Sequence, residues 1–178
     1  SKSGVADASL WFNIAVLRKQ MGDNDGAIEA YLRSNELNPD DPAIDQNLGL
    51  LYVEKGDYAL AGARFKKMVA RDSKNLEAKL NLAACYFKQD DLKGAITLWR
   101  QYLQARPNRT DIRVNVANAM WSLGDRTGAF AQYHLILARD AKNVDALNGV
   151  GLEKLLGHKV AEALPYFKAA ILANSNYM

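Results

Sequence analysis

The 178 residues are 49% hydrophobic and 24% charged, an ordinary globular balance that excludes a low-complexity or fibrous chain. The net charge of +3, from 23 basic and 20 acidic residues, excludes a polybasic tract of the kind that binds nucleic acid or an anionic membrane. No apolar run approaches the roughly 18 residues needed to cross a bilayer, and the single cysteine, Cys85, excludes an internal disulfide.

Read from the start, Ser1-Lys2-Ser3-Gly4 has no methionine and no signal-peptide pattern, so residues 1–7 read as an N-terminal tail or remnant of a processed or excised piece. From Ala8 the chain repeats. Blocks of 34 residues begin at Ala8, Pro42, Leu76, Thr110 and Val144 and run without insertion through Tyr177. The five segments are 8–41, 42–75, 76–109, 110–143 and 144–177. Position 20 of each block is alanine: Ala27, Ala61, Ala95, Ala129 and Ala163. Position 24 is aromatic: Tyr31, Phe65, Trp99, Tyr133 and Phe167. Position 8 is small (Ala15, Gly49, Ala83, Ala117, Gly151) and position 7 aliphatic (Ile14, Leu48, Leu82, Val116, Val150).

This pattern predicts two helices per block. Small residues at positions 8 and 20 let the helices approach closely, and the aromatic at 24 is expected to fill the space between neighbouring hairpins. The apolar stripe of the first helix faces the core. Gly22, Gly56 and Gly124 at position 15 suit a left-handed helix end, and Asp23, Asp57, Asp91 and Asp125 suit the cap of the next helix. Asn38-Pro39 and Arg106-Pro107 stop second helices, and Asp41, Asn75 and Asn143 open first helices.

At these residues the chain resembles the tetratricopeptide repeat (TPR) family. Repeat one carries the pattern through Trp11, Ile14, Ala15, Ala27, Tyr31 and Pro39, and repeat two through Leu48, Gly49, Tyr52, Ala61 and Phe65. Departures are Arg18 and Lys154 where an aromatic is usual, Asp90 in place of the turn glycine, and Gly157 one place early. They suggest looser packing in repeats one and five. The resemblance implies an all-α fold, a right-handed superhelical TPR solenoid of five helix-turn-helix repeats, with first helices lining a concave groove.

In the family, ligands contact first-helix positions that here carry Asn13, Asn47, Asn81 and Asn115 at position 6, Asn118 at position 9, and the apolar Leu50, Val53, Phe87 and Trp121. Amides donate and accept at once, so a row of them suits the main chain of an extended peptide. The aromatics Phe87 and Trp121 suit anchor roles. Local packing is the competing reading for both sets. The expected function is therefore a protein-interaction module, a scaffold or adaptor, that binds a protein or peptide partner in the groove. Alternatives are a regulatory or targeting segment of a larger multidomain enzyme, and a self-assembling scaffold. The windows that would form a clamp for chaperone C-terminal carboxylates place Glu77, Asp111 and Asp145 where bases are needed, which argues against that role.

No catalytic residue, metal ligand set or cofactor motif stands out. His134 and His158 lie on different repeats and read as surface residues, and no phosphate-binding or nucleophile motif is present. Cys85 reads as a small core residue; together with the lack of a signal in these residues it fits the cytoplasm. Arg100, Arg106, Arg109 and Arg113 cluster at one inter-repeat turn. They could hold an acidic partner or a phosphate, but read as a solvated face, and the patch is too local for nucleic acid. The last helix leaves Leu164, Phe167, Ile171 and Leu172 on the side that a sixth repeat would cover, which predicts either a longer natural chain or self-association through this C-terminal edge.

Overall fold

The computed structural model describes the backbone of residues 2–175 and the side chains of residues 7–174. Among the described residues it consists of helices joined by short turns: α1 (Lys2–Gln20), α2 (Asn24–Leu37), α3 (Pro42–Lys55), α4 (Tyr58–Arg71), α5 (Leu76–Lys88), α6 (Leu92–Ala105), α7 (Thr110–Ser122), α8 (Arg126–Leu137), α9 (Val144–Leu156) and α10 (Val160–Ser175). The later first helices α3, α5, α7 and α9 begin at the first residues of their sequence blocks. At the N-terminus, α1 starts at Lys2 instead of Ala8. Residues 2–7 contain no proline to stop a helix, so the segment expected as a tail continues α1 backwards.

The chain divides into two compact units, residues 1–90 with α1–α5 and residues 91–178 with α6–α10. Within each unit, helices pack against their neighbours in sequence. The core of the first unit is built from Ala15, Ala27, Tyr31, Ile44, Leu48, Leu51, Ala61 and Phe65; that of the second from Ala95, Trp99, Val116, Ala117, Ala129, Ile136 and Val150.

The turns follow the sequence closely. Gly22, Gly56 and Gly124 all adopt φ near +81°, where a glycine has no Cβ to strain. Asp90 and His158 hold the same left-handed position at +64° and +60°. In the fifth repeat the left-handed residue is thus His158, while Gly157 has an ordinary φ of −81°. The turn geometry is set by position 15, and the early glycine does not move it. Asp23, Asp91 and Asp125 accept hydrogen bonds from the main-chain N–H three residues on, and Asn75 and Asn143 do the same for α5 and α9. Asp57 makes no such side-chain bond.

At two of the five position-8 residues a further constraint acts. A Cβ on Gly49 would lie 2.7 Å from Phe65, and one on Gly151 would lie 2.8 Å from Phe167. In repeats two and five, position 8 is glycine because the position-24 aromatic of its own hairpin lies over it. Tyr133 also reaches the next hairpin, where a Cβ on Gly149 would lie 2.3 Å from its ring. An aromatic at position 24 therefore fills space within its hairpin as well as between hairpins.

Candidate peptide-binding faces

In the first unit, Asn13, Asn47 and Asn81 stand on the successive first helices α1, α3 and α5. Asn13 is exposed and the other two are half-buried. Asn47 Nδ2 donates to the Ala43 carbonyl one turn back in its own helix, at 2.8 Å. Asn13 and Asn81 have no hydrogen-bond partner among the described residues, which leaves their amides able to bond a ligand. Asn13 lines a cavity of about 300 Å³ with Ala8, Ser9, Phe12, Ser34, Asn38, Asp41 and Ala43. Ser34 is already committed there, donating to the buried Ala8 carbonyl at 2.8 Å. Leu50 and Val53 are half-buried on α3, and Phe87 is exposed near the end of α5.

In the second unit, a cavity of about 200 Å³ opens between α7 and α9, lined by Asn118, Trp121, Tyr133, Asp145, Asn148, Gly149 and Leu152. Two of the sequence-predicted residues, Asn118 and Trp121, meet here. Asn115, on the same helix, is exposed and lies outside this cavity. Gly149 breaks the row of position-6 asparagines because Tyr133 occupies the space its side chain would need. Asn118 is not free for a ligand on both sides: its Oδ1 accepts the Tyr133 hydroxyl at 2.8 Å. Trp121 is half-buried, 5.8 Å from the Phe130 ring, with the Arg126 guanidinium 5.5 Å from its centroid. These contacts pre-set the indole without burying it.

Sequence reasoning did not single out Asn148 or Tyr133 for this cavity. Tyr133 belongs to the core pattern, and only the pairing of a position-9 asparagine with a position-24 tyrosine hints at its second role. The same pairing explains an orphan in the first repeat. Position 9 there is Val16, and the buried Tyr31 hydroxyl has no partner among the described residues. Burial pushes the pKa of both tyrosines up.

Among the described residues, no group of three or more His, Cys, Asp or Glu side chains could hold a metal ion. His134 pairs with Glu153 at 2.6 Å on the surface of the second unit. Cys85 is buried, and burial pushes its thiol up to about 11, far from a reactive thiolate. No helix among the described residues is long and apolar enough to cross a membrane.

Paired antiparallel helices with small-residue contacts, a left-handed turn at a constant position and open first-helix faces define an all-α helical-repeat protein. Sequence comparison agrees: the family model described as "Tetratricopeptide repeat" matches residues 52–113 and that described as "TPR repeat" matches residues 17–56, together more than half of the chain. The chain belongs to the tetratricopeptide repeat family. It is similar to MamA (TM-score 0.82, 24% identity, 95% of this chain and 92% of that one). It is also similar to YrrB, described as a TPR protein with an unusual peptide-binding site (TM-score 0.78, 22% identity, 97% of this chain and 89% of that one). Both are likenesses of fold. A relative in sequence is the BBSome complex member bbs-4 of Caenorhabditis elegans, 30% identical over 94 residues, which are 53% of this chain and 20% of that protein. The chain spans between 20% and 26% of the length of the curated relatives it matches.

Proposed function

We propose that this chain is a protein-interaction module, a scaffold or adaptor without catalysis of its own, that receives extended segments of a partner protein on its first-helix faces. The observation that carries the reading is the cavity between α7 and α9, where a half-exposed tryptophan stands beside amide and carboxylate side chains. Such mixtures of an aromatic anchor and a few directed polar groups are the usual makeup of a recognition site. In the first unit, Asn13, Asn47 and Asn81, with Leu50, Val53 and Phe87, offer a comparable set of side chains on first helices; in the second, Asn118 lines the cavity with Trp121, and Asn115 stands on the same helix outside it. The peptide-binding site named for YrrB supports the reading by analogy of fold.

The test begins with selection of binding peptides from a displayed random library against the intact chain. Trp121→Ala should weaken the selected peptides by on the order of 2 kcal/mol, and Asn148→Ala by about 1 kcal/mol, without lowering helicity or Tm. Undiminished affinity in both variants would place recognition elsewhere.

A further inference from the structure

The turns before α3 and α7 are held by the same strap. In the first unit Arg71, at repeat position 30, donates from Nη2 to the Pro39 carbonyl and to Asp40 Oδ1, each at 3.0 Å. Its other arm lies 2.7 Å from Asp45, a carboxylate with 0% exposure. Arg64 and Lys67 stand 3.4 Å from that same carboxylate. Cations and acids are thus interleaved around the turn.

In the second unit Arg139 occupies position 30 and again donates to the proline carbonyl, here that of Pro107, and to Asn108 Oδ1. The acids, however, are replaced. Position 4, Asp45 in the first unit, is Arg113; position 33, Asp40 in the first unit, is Asn108. Arg113 donates to Gln132 Oε1 at 3.0 Å and to the Pro107 carbonyl at 3.2 Å. Two guanidiniums therefore converge on one carbonyl oxygen. Among the described residues, no carboxylate lies within 4.0 Å of either. The nearby acid Asp111 is already held by both arms of Arg109, at 2.8 and 2.6 Å. Partial burial, and then the charge of Arg139, lower the pKa of Arg113, the signature of a desolvated cation facing a like charge. A cavity of about 300 Å³ opens on this turn, lined by Ala105, Arg106, Pro107, Asn108 and Arg109.

We infer that the Pro107–Asn108 turn is a docking site for the carboxylate side chains of an acidic peptide, with Arg113 and Arg139, which meet at the Pro107 carbonyl, as the forks, and Arg106, on the wall of the cavity, as a further cation. Guanidiniums bind planar two-oxygen acceptors in paired hydrogen bonds. A carboxylate is favoured over other anions because the fold itself places carboxylates, Asp40 and Asp45, at these two repeat positions in the first unit. The site is separate from the first-helix faces and stands whether or not those bind peptide.

The experiment is calorimetric titration of the intact chain with acetyl-Asp-Glu-Asp-Glu-amide, its neutral counterpart acetyl-Asn-Gln-Asn-Gln-amide, and inorganic phosphate. The acidic peptide should bind and the neutral one should not. Arg139→Gln should weaken the acidic peptide about tenfold, while Lys66→Gln, an equal loss of charge in the first unit, leaves it unchanged. Asn108→Asp restores the acid found in the first unit; it should weaken the peptide about fivefold and raise Tm, and it removes no native contact group that folding could depend on. Binding that is indifferent to both Arg139→Gln and Asn108→Asp, or no binding of the acidic peptide, overturns the site. Inorganic phosphate binding as tightly as the peptide overturns the carboxylate assignment.

Discussion

At the scale of single residues, equivalent positions differ in how their polar atoms are satisfied. Tyr31 and Tyr133 share repeat position 24, are both buried, and both lie near a first helix. Tyr133 donates to Asn118, whereas the Tyr31 hydroxyl has no partner among the described residues because position 9 of its repeat is Val16. A buried unpaired hydroxyl costs free energy, and a paired one gives some back. Tyr31→Phe should therefore leave stability unchanged or raise it by up to about 1 kcal/mol. Tyr133→Phe should lower it by about 1 kcal/mol, since Asn118 Oδ1 then loses its donor. Urea unfolding of the two variants checks the prediction, and equal effects of the same sign would refute it.

Between elements, the junction of α3 and α4 with the preceding turn depends on one charge. Asp45 is fully buried, and Arg71 ties it to the Pro39 carbonyl and to Asp40 at once. Removing one partner of a buried ionic cluster is far worse than exchanging the whole set, because the others keep their desolvation cost. Arg64, Lys67 and Arg71 remain partly exposed, so they can recover some hydration. Asp45→Ala should still cost about 3 kcal/mol. Asp40→Ala, at an exposed carboxylate, should cost well under 1 kcal/mol. Thermal melts that ranked the two alike would show the cluster to be of no consequence for stability.

For the molecule as a whole, the apolar surface left on α10 matters most. Val160 and Leu164 are exposed, as are Ile171 and Leu172 at 69% and 66%. Phe167 differs from the sequence expectation: it is half-buried, its ring lying over Gly151 of the same hairpin. Apolar side chains grouped on one helix face favour contact with another apolar surface. The expected outcome is a sedimentation-derived mass that rises with concentration for the parent chain and stays monomeric for Ile171→Glu. A parent that is monomeric throughout the micromolar range would show that this face needs no second copy. The first helix is likewise less covered than the inner ones, with Leu10 and Leu17 exposed, so amides of α1 and α10 should exchange fastest.

The repeat period, the helix pairs and the place of each turn were legible in the sequence because they arise from local chemistry. A left-handed residue, a carboxylate cap and a proline stop act within a few residues of their own position, and a 34-residue recurrence of small and aromatic side chains declares which faces must meet. Even where the glycine signal failed, at Asp90 and His158, the period still located the turn. Contacts between side chains distant in sequence were another matter. That Asn47 turns back to its own helix, that Asn118 serves Tyr133, and that the Tyr133 ring fills the space a side chain at Gly149 would need were decided by the packing of the folded chain. The arginines of the Pro107 turn show the same division. Sequence placed Arg106, Arg109 and Arg113 near one another, but only the fold brings in Arg139 from the far end of the hairpin, because a hydrogen bond to a carbonyl 32 residues away is invisible to any local pattern.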